Sequence, residues 1–172
     1  MEAILCDRSF APAILEILND AIVNTTALWD YQPRSLQSMD AWFAAKEERN
    51  YPVIGLVENG ALRGFASYGS FRAWPGYKYT VEHAVYVHEQ HRGRGLGRRL
   101  VSAVLERAEQ QNYHTVIAGI GADNVASIRL HESLGFVACG TIRHAGYKFD
   151  RWLDLTFMQY LLKTPASPVG GS

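Results

Sequence analysis

Three glycines and four arginines lie together in the segment RGRGLGRR, residues 92–99. The segment follows an apolar stretch and precedes a helix-type pattern, so it is predicted to form a strand-to-helix turn. Glycine lets the backbone of such a turn approach a ligand closely, and the first N–H groups of a helix have no partner within the helix. These N–H groups and the helix dipole favour negative charge. The turn is therefore expected to bind a nucleotide, a nucleic-acid backbone or the pyrophosphate of a larger cofactor.

Two common nucleotide-binding motifs do not match this turn. A Walker A loop requires the lysine and hydroxyl of G-x-x-x-x-G-K-[ST], and the turn has neither. A Rossmann fingerprint has glycines spaced G-x-G-x-x-G and an acidic residue further on, whereas the spacing here is G-x-G-x-G and YHTVIAG contains no acid. The chain carries 17 Lys+Arg and 17 Asp+Glu. This balance argues against a nucleic-acid partner, because nucleic-acid-binding domains usually have a basic surplus.

Glu82 is a second candidate for chemistry, because it lies inside the apolar stretch TVEHAVYV, residues 80–87. A carboxylate in such a strand is unfavourable unless it faces water, a cation or a substrate. The alternation of a strand places Glu82 on the face opposite His83. Glu82 is thus either a base facing a substrate or a member of a structural ion pair.

The elements that would position these residues alternate between short strands and helices. The patterns predict the order β α α β β β α β α β β in one α/β domain over residues 1–163 with a mixed sheet, followed by a disordered tail over 164–172. A helix is expected over 38–49 with Ser38 as its N-cap, and another over 124–136, capped by Asn124 and ended by Gly135.

The cysteines and the apolar runs indicate the cellular setting. Cys6 and Cys139 each lie alone in an apolar stretch and are predicted to be buried, reduced thiols. Neither has the Cys/His spacing of a zinc site, so no metal is expected. Because no apolar run reaches membrane-spanning length and the N-terminus lacks a signal-peptide pattern, a cytoplasmic protein without a membrane partner is expected.

Several motifs together resemble one enzyme family. QHRGRGLG (90–97) resembles the acetyl-CoA pyrophosphate loop of the GNAT N-acetyltransferases, Q/R-x-x-G-x-G/A, and NVASIRLHESLGF (124–136) resembles their stretch N-x-x-S/A-x-x-L-Y-x-x-L-G-F. Further stretches are similar to the phosphinothricin and methionine sulfoximine acetyltransferases, namely NTTALWD, GFASYGSFR, TVEHAVYV and GYKFDRWLDLTFMQ. The resemblance covers residues 3–162. It implies the GNAT fold, with a mixed and mostly antiparallel sheet flanked by helices, and acetyl-CoA as co-substrate.

The resemblance also implies a set of cofactor-binding residues. The backbone of the strand before the turn would pair with the pantetheine arm and polarise the thioester carbonyl, and the turn would hold the two phosphates. Two alternatives stay open, namely that Arg98 is solvated surface and that Asn124 only caps its helix. The implied residues are Val85, Tyr86, Val87, Arg92, Gly93, Arg94, Gly95, Leu96, Gly97, Arg98, Asn124 and Ser127.

Two residues are expected to take part in catalysis. Acetyl transfer needs a neutral amine, and the resemblance places the acceptor-side carboxylate at Glu82, which would act as the base directly or through water. Many GNAT enzymes have a tyrosine that protonates the leaving thiolate at the position of His131. An imidazolium could donate that proton, or His131 could pack beside the cofactor.

A small amino-acid acceptor needs a cation for its carboxylate, donors for its polar side group and an apolar wall. Arg72 is the expected carboxylate clamp. The other candidates for acceptor binding are Trp74, Lys78, Glu82, His83 and Thr26, with Trp29 and Tyr77 as further walls. Aromatic residues in such loops are also often core packing.

The expected activity is direct transfer of acetyl from acetyl-CoA to the α-amine of phosphinothricin, methionine sulfoximine or methionine sulfone. Two alternatives remain: an acetyltransferase for a protein N-terminus, a polyamine or an aminoglycoside, and a non-catalytic acyl-CoA-binding module. The resemblance further implies a homodimer, in which Lys148 and Phe149 reach a neighbouring site.

Overall fold

A computed structural model describes residues 1–170, and its elements follow the predicted order. The strands are β1 (Glu2–Leu5), β2 (Val53–Glu58), β3 (Ala61–Ser70), β4 (Thr80–Val87), β5 (Thr115–Gly121), β6 (Val137–Lys148) and β7 (Arg151–Leu161). The helices are α1 (Ala11–Asn24), α2 (Leu36–Glu48), α3 (Leu96–Gln110) and α4 (Val125–Glu132). The predicted fold class, a mixed and mostly antiparallel sheet flanked by helices, is confirmed.

The sheet has the order β1-β2-β3-β4-β5-β7-β6, and β4 and β5 pair in parallel while the other neighbours pair antiparallel. The parallel pairing runs from Thr80↔Thr115 to His83↔Ala118 and then stops. Both strands continue beyond that point, β4 to Val87 and β5 to Gly121. The two strands therefore diverge, and the edge of β4 that faces β5 has no strand partner after His83.

Each face of the sheet packs against its own helices. Leu100 and Val104 of α3 share one buried cluster with Val81 of β4. Ile14 of α1 and Phe43 of α2 share a second cluster with Phe65 of β3. Because side chains alternate along β4, one face of that strand looks toward α3 and the other toward α1 and α2.

Three local predictions differ from the structure. The N-cap of α2 is Ser35, whose Oγ accepts a hydrogen bond from the N–H of Ser38 at 3.2 Å. Helix α4 ends at Glu132, three residues before Gly135. Cys6 is buried as predicted, but Cys139 is exposed, because it lies on β6, which is solvent-facing along most of its length at the edge of the sheet.

The chain after β7 forms no helix or strand over residues 162–170, and the rest of the predicted tail lies outside the described residues. Thr164 Oγ1 donates to the carbonyl of Tyr113 at 2.6 Å, and the Val169 N–H donates to the hydroxyl of Tyr79 at 3.0 Å. None of the helices within residues 1–170 is both long and apolar enough to cross a bilayer. The cytoplasmic location stays a prediction.

Candidate active site

The glycine turn joins β4 to α3, and two of its glycines have left-handed backbones. Gly93 and Gly95 both have φ +74°, and a Cβ at either would meet nothing within 4 Å. Glycine is required there by conformation and not by lack of space. Gly95 is the N-cap of α3, and within the described chain no side chain caps this end of the helix. The first N–H groups of α3 are thus available to an anion.

The third glycine and its neighbour have packing roles. A Cβ at Gly97 would lie 2.9 Å from Leu130 Cδ1, so this glycine lets α3 approach α4. Leu96 is buried in the core. Leu96 and Gly97 are both predicted to bind the cofactor, and their packing indicates that they determine the shape of the turn.

The arginines of the turn make ion pairs and hydrogen bonds within the chain. Arg92 Nη2 lies 2.7 Å from Asp20 Oδ2, and Arg94 Nη2 lies 3.3 Å from Glu58 Oε1. Both guanidinium groups stay about half exposed, so a phosphate would compete with these carboxylates for them. Arg98 Nη1 donates to Ser133 Oγ at 2.7 Å, which ties α3 to the end of α4.

A cleft of about 80 Å³ opens where β4 and β5 diverge. Its walls combine the free edge of β4 with the start of α4, where Asn124 Oδ1 accepts from the Ser127 N–H at 3.1 Å and caps the helix as predicted. Val87 is not among the residues of the wall. The wall consists of Ala27, His83, Ala84, Val85, Tyr86, Ala118, Gly119, Ile120, Gly121, Asn124, Ser127 and His131.

His83 and His131 form a buried pair in the wall of this cleft. His131 Nδ1 lies 2.7 Å from the Ser127 carbonyl oxygen, which can only accept, so Nδ1 carries the proton. His131 Nε2 lies 3.1 Å from His83 Nε2, so in the neutral pair His83 donates and His131 accepts. His83 Nδ1 is then a buried acceptor without a partner in the described chain.

Burial favours the neutral form of both imidazoles. Desolvation, with a smaller contribution from the neighbouring His131, lowers the pKa of His83 to about 3. Desolvation also lowers the pKa of His131, and the hydrogen bond to the Ser127 carbonyl opposes this in part. A positively charged His131 is therefore disfavoured in the folded protein.

A second cavity, of about 170 Å³, lies on the opposite face of β4, under α1 and α2. We call it the acceptor cavity. It shares Ala84 and Tyr86 with the cleft, so the two spaces meet across β4. Its wall consists of Leu18, Leu28, Arg34, Trp42, Lys46, Phe65, Ser67, Tyr68, Gly69, Glu82, Ala84 and Tyr86.

Glu82 is the only carboxylate among those wall residues of the acceptor cavity. Its Oε1 occupies the space beside Gly119 of β5, 2.9 Å from where a Cβ would lie. Desolvation raises the pKa of this carboxyl, and the positive charge of Arg72 partly opposes that rise. A half-buried carboxylate with a raised pKa, next to a cavity, has the properties of a general base.

A larger groove, of about 950 Å³, contains the predicted acceptor residues Arg72, Trp74 and Lys78. The groove shares Trp42 and Lys46 with the acceptor cavity, so the two adjoin. The Arg72 guanidinium stacks 4.1 Å above the Phe71 ring, and its Nη1 donates to the Phe71 carbonyl at 2.8 Å. Trp74 is 70% exposed and has room to contact a ligand.

The structure places two other predicted acceptor residues elsewhere. His83 lies on the face of β4 opposite Glu82, outside the acceptor cavity, because successive side chains of a strand alternate. The carbonyl of Thr26 accepts from Trp29 Nε1 at 2.8 Å, and Thr26 lines neither space. Trp29 packs on Gly146 of β6, where a Cβ would lie 2.4 Å from its ring, and is a packing residue.

Two lysines have roles that their sequence neighbourhoods do not indicate. Lys46, in the polar segment AAKEER, lines both the acceptor cavity and the groove. Lys148 was expected to reach a neighbouring site, but it is 4% exposed and donates to three backbone carbonyls of its own chain, those of Ile22, Thr25 and Leu28.

Within residues 1–170, no group of three or more His, Cys, Asp or Glu side chains is arranged to hold a metal ion.

The model of the acetyltransferase (GNAT) family matches residues 12–136. The chain is 45% identical, over 94% of its length and 95% of the relative, to the L-methionine sulfoximine/L-methionine sulfone acetyltransferase of Salmonella typhimurium.

Two further similarities extend over most of the chain. It is 36% identical to the phosphinothricin N-acetyltransferase of Streptomyces viridochromogenes, over 91% of the chain and 85% of the relative. An acetyltransferase structure from Salmonella typhimurium with its cofactor acetyl-CoA is 43% identical, covers 99% of both chains and superposes with a TM-score of 0.95.

Proposed function

The chain belongs to the GNAT family of acetyl-CoA-dependent N-acetyltransferases, and we propose that it acetylates the α-amine of small amino acids. Methionine sulfoximine and methionine sulfone are the leading acceptors, because the similar Salmonella enzyme is named for them. Phosphinothricin is a further acceptor, proposed from the similarity to the Streptomyces enzyme.

One observation carries this proposal: Glu82 and the cleft lie on opposite sides of the same short stretch of β4. The cleft has a free strand edge, which suits a pantetheine arm. The chain continues from β4 through the glycine turn to the uncapped N-terminus of α3, which suits a pyrophosphate. The acceptor cavity holds the carboxylate. An acetyl group at the free edge of β4 would therefore face an amine held by Glu82.

We propose direct attack within a ternary complex. Glu82 accepts a proton from the acceptor ammonium, and the neutral amine forms a bond to the acetyl carbonyl carbon while the carbon–sulfur bond breaks. The nitrogen then releases its second proton to solvent and becomes the neutral amide. The free N–H groups of β4 stabilise the charge on the carbonyl oxygen. The thiolate of coenzyme A leaves with the electron pair of that bond and takes a proton from solvent.

We assign His131 a positioning role instead of an acid role. Its Nδ1–H is bound to the Ser127 carbonyl and its Nε2 accepts from His83, so a neutral His131 has no proton to offer the cleft. The pair holds α4 against β4 at the cleft. The pH profile given in the Discussion tests this assignment.

The larger groove beside the acceptor cavity favours a ligand with a carboxylate. Arg72 has no carboxylate partner within the described residues and lies close enough to Glu82 to affect its pKa. An amine at Glu82 would therefore place the adjacent α-carboxylate near Arg72. Polyamines and aminoglycosides would require acidic grooves, whereas Arg72 and Lys78 make this one basic.

The test is coenzyme A release from acetyl-CoA with a panel of acceptors. We expect turnover with methionine sulfoximine and methionine sulfone, weaker turnover with phosphinothricin, and less than about 1% of that rate with spermidine, kanamycin or an N-terminal peptide. Efficient use of spermidine or the peptide would overturn the acceptor assignment. Acetyl-CoA binding without turnover of any acceptor would favour the non-catalytic alternative.

We also propose a homodimer formed through β6. This strand lies at the sheet edge and exposes apolar side chains, including Val137 at 64% and Ile142 at 52%, and Trp152 of β7 is 58% exposed beside them. An unpaired strand edge with apolar residues is a ready surface for association.

Sedimentation velocity should give about twice the 19.2 kDa chain mass, and Ile142→Lys should lower the measured mass to that of the monomer. A wild-type monomer at micromolar concentration would contradict the dimer.

A further inference from the structure

We propose that Lys46 binds the oxygen atoms at the end of the acceptor side chain, and that it is the residue that selects oxidised methionine analogues over methionine. This inference rests on the proposed function, because it assumes an amino-acid acceptor in the acceptor cavity. It assigns a role in specificity to a residue outside the turn, β4 and the aromatic loop.

Lys46 is placed by the last turn of α2, which brings its ammonium group to the sheet. Lys46 Nζ donates to the Tyr68 carbonyl at 2.7 Å and lies 3.8 Å from where a Cβ on Gly69 would be. Gly69 is the register partner of Glu82 across β3 and β4. Since paired Cβ positions are about 5 Å apart, the ammonium lies within about 9 Å of the Glu82 Cβ. Gly69 leaves the intervening space open.

The charge of Lys46 is not compensated within the described chain. The ion pairs of residues 1–170 do not include it, whereas Arg34, the other cation on the cavity wall, pairs with Asp30 at 2.8 Å. An ammonium has three N–H donors, and the Tyr68 carbonyl uses one of them. The Trp42 and Tyr51 rings lie 5.4 and 5.7 Å from Nζ and shield it from water. Lys46 thus has donors available beside the acceptor cavity.

The two basic residues lie in different parts of the site. Arg72 lines the groove and its charge lowers the pKa of Glu82, whereas Lys46 lies on the wall that the groove and the acceptor cavity share. The α-carboxylate is adjacent to the amine and fits Arg72, while sulfone, sulfoximine or phosphinate oxygens are at the far end of the side chain and fit Lys46. Methionine has no oxygen there. Desolvation lowers the pKa of Lys46 to about 8. With methionine bound, the Lys46 ammonium would stay desolvated and would gain no hydrogen bond from the acceptor.

The test compares Lys46→Met with wild type on two acceptors of equal length, methionine sulfone and methionine. We expect Lys46→Met to raise KM for methionine sulfone about 10- to 100-fold, the range for a lost hydrogen bond to a charged group, with kcat within about threefold. The KM for methionine, or its inhibition constant against methionine sulfoximine if turnover is too slow, should change less than threefold. Lys46→Arg should recover most of the loss.

Controls separate this role from a structural one. Lys163→Met removes an exposed lysine after β7 and should leave all constants unchanged. Lys46→Met could instead raise KM equally for methionine sulfone and methionine and also lower thermal stability. That result would mean that Lys46 only supports the Tyr68 carbonyl, and it would overturn the proposal. If wild type acetylates no amino acid at all, the proposed function itself is wrong.

Discussion

Replacing Glu82 by glutamine is expected to lower kcat/KM for methionine sulfone by about 10²- to 10⁴-fold, the usual contribution of a general base. Glutamine keeps the size of the side chain and its fit beside Gly119, but it cannot accept the ammonium proton. The KM for acetyl-CoA should stay within about twofold, since the cleft lies on the other side of β4. Coenzyme A release measured at saturating acetyl-CoA provides the comparison.

The pH dependence gives the same role a second signature. Because desolvation raises the pKa of Glu82, its base form is lost as the pH falls through a value above the ordinary 4.5. We expect kcat/KM of the wild type to decline on the acidic side of that value, and Glu82→Gln to lack this decline. If His131 acted as an imidazolium acid, activity would instead fall as the pH rises through its lowered pKa, below 6.5. We expect no such fall at any pH below about 8, and therefore none in the region below 6.5 where an imidazolium would lose its proton.

A matched variant displaces the carboxylate without changing residue 82. In Gly119→Ala the new Cβ would lie 2.9 Å from Glu82 Oε1, while Leu155 and Phe157 remain at 3.6 Å, an ordinary contact. The fold should tolerate the alanine, and kcat/KM should fall about tenfold because the carboxylate must move. If Glu82→Gln and Gly119→Ala both keep the kcat/KM of the wild type, Glu82 is not the base.

The predictable part of this site is the part that local patterns determine. The alternation of β4 places Glu82 and His83 on opposite faces, and RGRGLGRR forms the predicted strand-to-helix turn, in which Gly93 and Gly95 have φ +74°. The cap of α2 was placed one turn too late, because Ser35 and Ser38 are three residues apart and either could begin a helix.

The part that could not be predicted depends on contacts between distant segments. Lys46 bonds to a carbonyl 22 residues away, His83 and His131 are 48 residues apart, and Lys148 reaches carbonyls 120 to 126 residues away. A lysine in a polar segment is usually solvated, so composition gives no sign that the tertiary fold buries it. The family resemblance implies that Lys148 reaches a neighbouring site. In the structure, the hairpin of β6 and β7 directs its side chain toward the carbonyls of its own chain.

Lys148→Met is expected to be the most destabilising of the substitutions considered. Lys148 ends β6, just before a two-residue turn in which Phe149 and Asp150 have φ of +52° and +56°. Its ammonium donates to the carbonyls of Ile22, Thr25 and Leu28 at 2.5, 2.9 and 2.6 Å. These carbonyls belong to the end of α1 and the connection to α2, so one side chain holds that connection against the sheet.

Methionine would leave three carbonyls facing an apolar group. An unsatisfied buried polar group costs about 1–3 kcal/mol, and since the carbonyls can partly turn to water we expect a total loss of about 3 kcal/mol. For a chain of this length that corresponds to a fall in Tm of roughly 6–12 °C. Thermal unfolding followed by circular dichroism measures it, with Lys163→Met as the charge-matched control, expected within about 2 °C of wild type.

The same substitution should affect both substrates, because the connection between α1 and α2 lies between the two binding spaces. Ala27 lines the cleft and Leu28 lines the acceptor cavity. Loosening this segment should raise KM for acetyl-CoA and for methionine sulfone together, whereas Lys46→Met should raise the acceptor constant alone. An unchanged Tm for Lys148→Met would mean that water replaces the ammonium at the three carbonyls, and that packing of α1 and α2 on the sheet suffices to hold the connection.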